Sequence, residues 1–198
     1  MRTNNKTYRL AIDSMMASLY FVLAYFSIRF GNITITPASI TILIVSLLYS
    51  PGDAILVALV GELINQMAKY GPSITTPLWL VPSIMRALVI SLVAMLYRKK
   101  GTYLEKHVVM YFITIIIAGL LTTTINTGVI ILDGYLMNYP VSYTIIETLF
   151  RFLSSFITCI VVGILTLFIM KALEKLNIGR VPCKETKHIQ QEENRMEA

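Results

Sequence analysis

The sequence predicts an all-α integral membrane protein, a bundle of six transmembrane helices with both termini in the cytoplasm. Three observations carry that expectation. The 198 residues are 56% hydrophobic and 14% charged, against roughly 25% charged in an ordinary soluble domain, and the mean hydropathy is +0.69. One soluble core cannot absorb that much apolar surface, so the bilayer is the expected solvent. The apolar residues also gather into runs separated by turn chemistry, and Lys and Arg concentrate beside alternate loops. The apolar content excludes disorder. Cys159 in an apolar run and Cys183 in a polar tail do not make a disulfide framework. The net charge of +6 sits beside hydrophobic segments, which reads as membrane orientation and not as nucleic-acid binding.

The spans follow in order. The first covers 9–28 and ends at Phe30, Gly31 and Asn32. It is too long for a signal peptide and lacks a small-residue cleavage site, so it is expected to be retained. The second, 33–50, meets the third at Ser50, Pro51, Gly52 and Asp53, where proline and glycine supply turn geometry. The third, 53–69, is short and carries Glu62 and Asn65. A loop of Gly, Pro, Ser and Thr from Tyr70 to Pro77 precedes the fourth, 78–97, which Arg98, Lys99, Lys100 and Gly101 close. The fifth covers 107–132. A loop from Asp133 to Ser142, with Gly134 and Pro140, leads to the sixth at 143–171. One transmembrane domain, 1–178, and a polar, disordered cytoplasmic tail, 179–198, account for the chain, with no internal repeat.

Orientation comes from the basic residues. Arg2, Lys6 and Arg9 flank the first span. Arg98, Lys99, Lys100 and Lys106 lie between the fourth and fifth, and Lys171, Lys175, Arg180, Lys184 and Lys187 follow the sixth. The opposite loops hold only Arg29 and Lys69. Both termini are therefore expected inside, which requires an even number of spans.

An ionisable group at membrane depth costs about 3 kcal/mol on insertion scales, so each needs a reason. Glu62 and Asn65 are three apart and share a helix face. Arg86 lies about two turns into the fourth span. Asn126 sits among Thr122, Thr123, Thr124 and Thr127, and Glu147 and Arg151 are spaced i, i+4. With the expected topology these groups fall in or near the outer half, at the level of Trp79, Tyr135, Tyr139 and Tyr143. The expectation is an outward-facing polar pocket with an aromatic rim, formed by Glu62, Asn65, Trp79, Arg86, Asn126, Tyr135, Glu147 and Arg151. Plainer readings stand beside it. Glu147 and Arg151 are either a self-neutralising ion pair or ligand contacts. Trp79 and the tyrosines are either a ligand rim or an interfacial belt. The threonines suit helix–helix hydrogen bonding. The partner of Arg86 is either Glu62 or a ligand anion. Asp13, near the inner end of the first span, reads as interfacial.

Several chemistries lack their residues. There is no G-x-x-x-x-G-K-S/T phosphate loop, no H-E-x-x-H, and no Cys/His pair spaced for zinc. The segment from Glu147 to Arg151 has an E-x-x-x-R spacing, but no second carboxylate and no later helix bearing histidines, which argues against a membrane protease. No catalytic residue, metal or cofactor is expected. Ser14 and Ser18, with Ala11 and Ala17 close by, form a small-residue stripe that lets another helix approach closely.

These features resemble the substrate-binding S component of an energy-coupling factor (ECF) vitamin transporter. The resemblance covers most of residues 8–175. The stretch DSMMASLYFVL from Asp13 to Leu23 is similar to the family's small-residue first helix, with Ser14 and Ser18 where alanines four apart are usual. LLYSPGDA from Leu47 to Ala54 resembles the glycine–proline turn between its second and third helices. Asn126, Thr127, Tyr135 and Arg151 resemble the later-helix pattern of some vitamin-specific members. The resemblance implies capture of a vitamin or related micronutrient from outside, under loops near 29–34, 70–78 and 133–142. It implies a transmembrane coupling subunit and two cytoplasmic ATPase subunits as partners in a bacterial cell membrane. It also implies that the first helix, through Ser14 and Ser18, docks on the coupling subunit while the S component topples to release its cargo. Folate-like compounds, pantothenate, pyridoxine and queuosine precursors remain open as cargo. The rival reading is a six-span scaffold protein of the bacterial cell-shape machinery, which has no need of a polar pocket.

Overall fold

The computed structural model describes residues 6–30, 33–137 and 142–175, and within them not the side chains of 6, 8, 28–30, 33–35 and 142–147. Helices carry the fold: α1 (Lys6–Tyr25), α2 (Ala38–Leu48), α3 (Pro51–Tyr70), α4 (Thr76–Lys99), α5 (Val108–Met137) and α6 (Ser142–Lys175). A hairpin of β1 (Ile28–Phe30) and β2 (Ile33–Ile35), with Ile28 opposite Ile35, joins α1 to α2. A single 3₁₀ turn, Leu104–Lys106, precedes α5.

The centre of the bundle is α2, which touches α1, α3, α4 and α6. Its sequence, ASITILIVSLL, is apolar on every side, the pattern of a helix buried all round. Ten of its eleven residues are buried. Around it run close pairs: α1 on α3, α3 on α4, α4 on α5 and α5 on α6. Small residues allow the close approaches. The Tyr20 ring lies over Gly61, Cys159 Sγ sits against Gly119, and Phe112 covers Gly163. Tyr111, fully buried, donates to the Gly163 carbonyl at 3.0 Å.

The second expected span differs from the structure. Eleven residues rise only about 16 Å, half of a hydrocarbon core, so α2 alone does not match the expected 33–50 helix. The β-branched run Ile33, Thr34, Ile35 and Thr36 favours extended backbone. Pro37 then pushes its predecessor out of the helical region and stands at the N-cap of α2. At the other loop, α5 runs through Asp133, Gly134 and Tyr135 to Met137. One glycine inside a helix costs only about 1 kcal/mol, too little to end it.

Among the described residues three helices are long and apolar enough to cross a membrane: α4, α5 and the Thr148–Lys175 part of α6. Twenty-residue α1 and α3 are long enough at about 30 Å, but Arg9 and Asp13, and Asp53, Glu62 and Lys69, lower their hydropathy. The outer faces are oily. Val109, Leu149, Leu153 and Phe168 are all more than half exposed, an apolar surface that fits lipid and not water. Residues 179–198 lie outside the described residues.

Candidate functional site

Connectivity places the ends of α1 and α3 and the starts of α2 and α4 at one end of the bundle, marked by Gly71, whose φ of 76° turns the chain between α3 and α4. The basic residues Arg9 and Arg98 lie at the opposite end. In the half nearer Gly71 a polar layer crosses five helices.

Its first part gathers on Glu62, buried in α3. Gln66 Nε2 donates to Oε1 at 2.7 Å and Asn65 Nδ2 at 3.2 Å, as i+4 and i+3 spacing allows. The Tyr20 hydroxyl, from α1, donates to Oε2. Ser83 Oγ, from α4, lies 3.5 Å from Oε2 and 3.4 Å from the Tyr20 oxygen. A buried carboxylate held by four neutral donors is satisfied without a cation.

The second part gathers on Arg86, half-buried on α4, one turn beyond Ser83 on the same face. Its Nη1 donates to Ser39 Oγ at the start of α2. Its Nε donates to Thr122 Oγ1 of α5 at 3.4 Å. The threonine can accept because its own proton goes to the Ala118 carbonyl at 2.6 Å. The ion pair of Arg9 with Asp53 lies far from this layer, and Arg86 and Glu62 do not pair. The choice left open by the sequence, Glu62 or a ligand as partner of Arg86, is thus narrowed.

Other expected residues fall around the layer. Trp79 is half-buried on the face of α4 that carries Ser83 and Arg86, and Asn126 is half-buried one turn from Thr122. Arg151 is half-buried on α6 and has a partner. Tyr135 belongs to α5 and not to a loop, and is 79% exposed. Glu147 is on α6, but its side chain lies outside the described residues, as do Tyr139 and the Tyr143 side chain. The threonines bond mainly to their own helix: Thr123 Oγ1 to the Gly119 carbonyl and Thr127 Oγ1 to the Thr123 carbonyl, both at 2.9 Å.

Sequence reasoning missed Tyr20, Ser39, Gln66 and Ser83. Gln66 was findable, one turn from Glu62. Tyr20 was not, because only the contact with Gly61 brings α1 close enough for its hydroxyl to reach α3.

On α1 the faces divide. Ala17 is buried, while Ala11, Ser14 and Ser18 are exposed. Ser14 Oγ donates to the Leu10 carbonyl at 2.8 Å and Ser18 Oγ to the Ser14 carbonyl at 2.9 Å. Both hydroxyls are therefore spent on their own helix, leaving a shallow surface. At the basic end, Arg9 reaches Ser50 at 3.0 Å and pairs with Asp53, which closes a capping box with Ser50. Buried Arg98 donates to the Tyr49 carbonyl at 2.8 Å and the Ser46 carbonyl at 3.3 Å, where the end of α2 is negative. Arg9 and Arg98 are thus clasps between helices, and Asp13 is buried in the bundle.

A family model described as the substrate-specific component of ECF transporters matches residues 8–174. No curated protein matches the chain. Among solved structures, the S component of a bacterial ECF transporter aligns with a TM-score of 0.67 and 20% identity, over 87% of this chain and 98% of that one. At that identity the likeness shows the fold.

Proposed function

The chain belongs to the family of ECF transporter substrate-specific components, and from that premise we propose that it captures a vitamin or related micronutrient outside a bacterial cell for uptake powered by separate subunits. In this reading six helices form one membrane domain over residues 1–178, with both termini and the 179–198 tail in the cytoplasm. The Gly71 end faces outward. Glu62, Asn65, Trp79, Arg86, Asn126, Tyr135, Glu147 and Arg151 form the substrate-binding set. The chain performs no chemistry. A coupling subunit and two cytoplasmic ATPase subunits supply the energy, and the exposed Ser14–Ser18 face of α1 docks on the coupling subunit.

The observation that carries this reading is the Arg86 guanidinium. It is half-buried and held by two neutral hydroxyls in the Gly71 half. A charge in such a place is costly and needs a counter-group, and a bound solute supplies one. A cell-shape scaffold has no use for that arrangement.

Thermal unfolding of the purified protein against a panel of water-soluble vitamins tests it. A true ligand at a hundred times its Kd adds about 2.7 kcal/mol of stability, and mass spectrometry of co-purifying small molecules identifies it independently. No stabilisation by any panel member, with no co-purifying molecule, would sink the vitamin-capture reading.

A further inference from the structure

We infer that the ligand carries an anionic group, seated on the Arg86 guanidinium, together with an N–H group that donates to the side-chain carbonyl of Asn65. The inference deepens the substrate-binding reading and rests on it.

Two unmet demands in one layer point to that pair of groups. Arg86 presents five N–H donors, and among the described residues its side chain meets only Ser39 and Thr122, both uncharged. Glu62, the acid in the layer, is already occupied by Tyr20, Asn65, Gln66 and Ser83. The second demand is Asn65 Oδ1. Asn65 is 7% exposed, and this oxygen is buried with no donor among the described residues. Turning the amide over does not help. Nδ2 is fixed by its bond to Glu62 Oε1 at 3.2 Å, and the reversed amide would set oxygen against carboxylate oxygen. An orphaned buried acceptor needs a donor from outside the fold. The two demands are linked through Glu62 and Ser83, and Ser83 is one helical turn from Arg86. Trp79, on the same face of α4, offers a flat apolar surface to the remainder of the molecule.

The test uses the full chain in nanodiscs of phosphatidylcholine, with binding read by calorimetry. The probes form three groups. Biotin, pantothenate and folate carry both a carboxylate and an N–H. Nicotinate and lipoate carry a carboxylate without an N–H. Nicotinamide and riboflavin carry an N–H without an anion. Binding is expected in the first group alone. It should weaken at least tenfold in Arg86→Gln and in Asn65→Leu, and equally when the methyl ester of the bound compound replaces the acid on the unaltered protein. The ester decides the matter if a variant fails to fold. Equal binding of acid and ester, or tight binding of riboflavin or nicotinamide, overturns the inference while leaving the transport reading intact. Binding by no probe overturns the inference and leaves the transport reading to the wider vitamin panel and the co-purifying molecules. Discs containing phosphatidylglycerol should leave the affinity unchanged. Stabilisation by that lipid with no bound probe assigns Arg86 to a headgroup and overturns the inference.

Discussion

Arg86 and Glu62 lie in the same layer with opposite charges, yet each is served by neutral groups. The carboxylate is saturated by donors from three helices, whereas the guanidinium is left under-used. Truncating Arg86 to alanine should therefore weaken ligand binding by about 1.5–3 kcal/mol, the range for a charge-assisted bond, with little change in the ligand-free melting temperature. Calorimetry with the identified ligand checks it, and wild-type affinity in both Arg86→Ala and Arg151→Ala would move the site elsewhere. Close packing gives a second prediction at this scale. A Cβ on Gly119 would stand 2.2 Å from Cys159 Sγ but 3.9 Å from Cys159 Cβ. Gly119→Ala should then destabilise by about 1–3 kcal/mol through overpacking. Adding Cys159→Ala should recover most of the loss, a coupling that a double-mutant cycle of thermal unfolding measures. Glu62, Asn65 and Arg86 were legible in the sequence because charge or amide in an apolar run stands out. Their partners were not, since serine and tyrosine occur in membrane helices for many reasons.

Helices were found where apolar runs were long, and their ends moved where local chemistry was stronger than the run. The expected second span became a hairpin and an eleven-residue helix, because hydropathy does not distinguish a lipid-facing helix from one enclosed by protein. The burial of α2 on all sides makes the bundle wrap around it, with Arg98 holding its last carbonyls. For α1 the sequence showed the stripe but not its direction. Ala17 faces inward and Ser14 and Ser18 face outward. A tryptophan at either serine should project from the bundle, leave the layer around Arg86 intact, and prevent close approach by another helix. Ser14→Trp and Ser18→Trp should thus bind ligand normally in purified form but lose energy-dependent uptake and co-purification of the coupling subunit. Normal uptake by both variants would sink the docking role of this face.

At the scale of the molecule, the arrangement depends on which end faces out. Arg9, Arg98, Lys99 and Lys100 share one end, and the loop of Gly71 to Thr75 at the other has no basic residue. By the positive-inside rule the basic end is expected in the cytoplasm. Single cysteines introduced into that loop, in a protein lacking Cys159 and Cys183, should react with a membrane-impermeant maleimide added to intact cells. Cysteines replacing Lys100 or Thr102 should react only after lysis. The opposite pattern would invert the bundle and turn the polar layer away from external nutrients.

Composition and apolar runs by themselves determined a helical membrane protein, because transfer of side chains into lipid is a sum over residues and needs no partners. They also located the charged members of the layer, since charge at depth is conspicuous in one dimension. The tertiary structure alone decided that α2 is enclosed, that Tyr20 reaches Glu62 across Gly61, and that Arg86 meets Ser39 and Thr122 instead of an acid. Those outcomes depend on which helix faces meet, and a contact between residues far apart in the chain leaves no periodic trace in either segment.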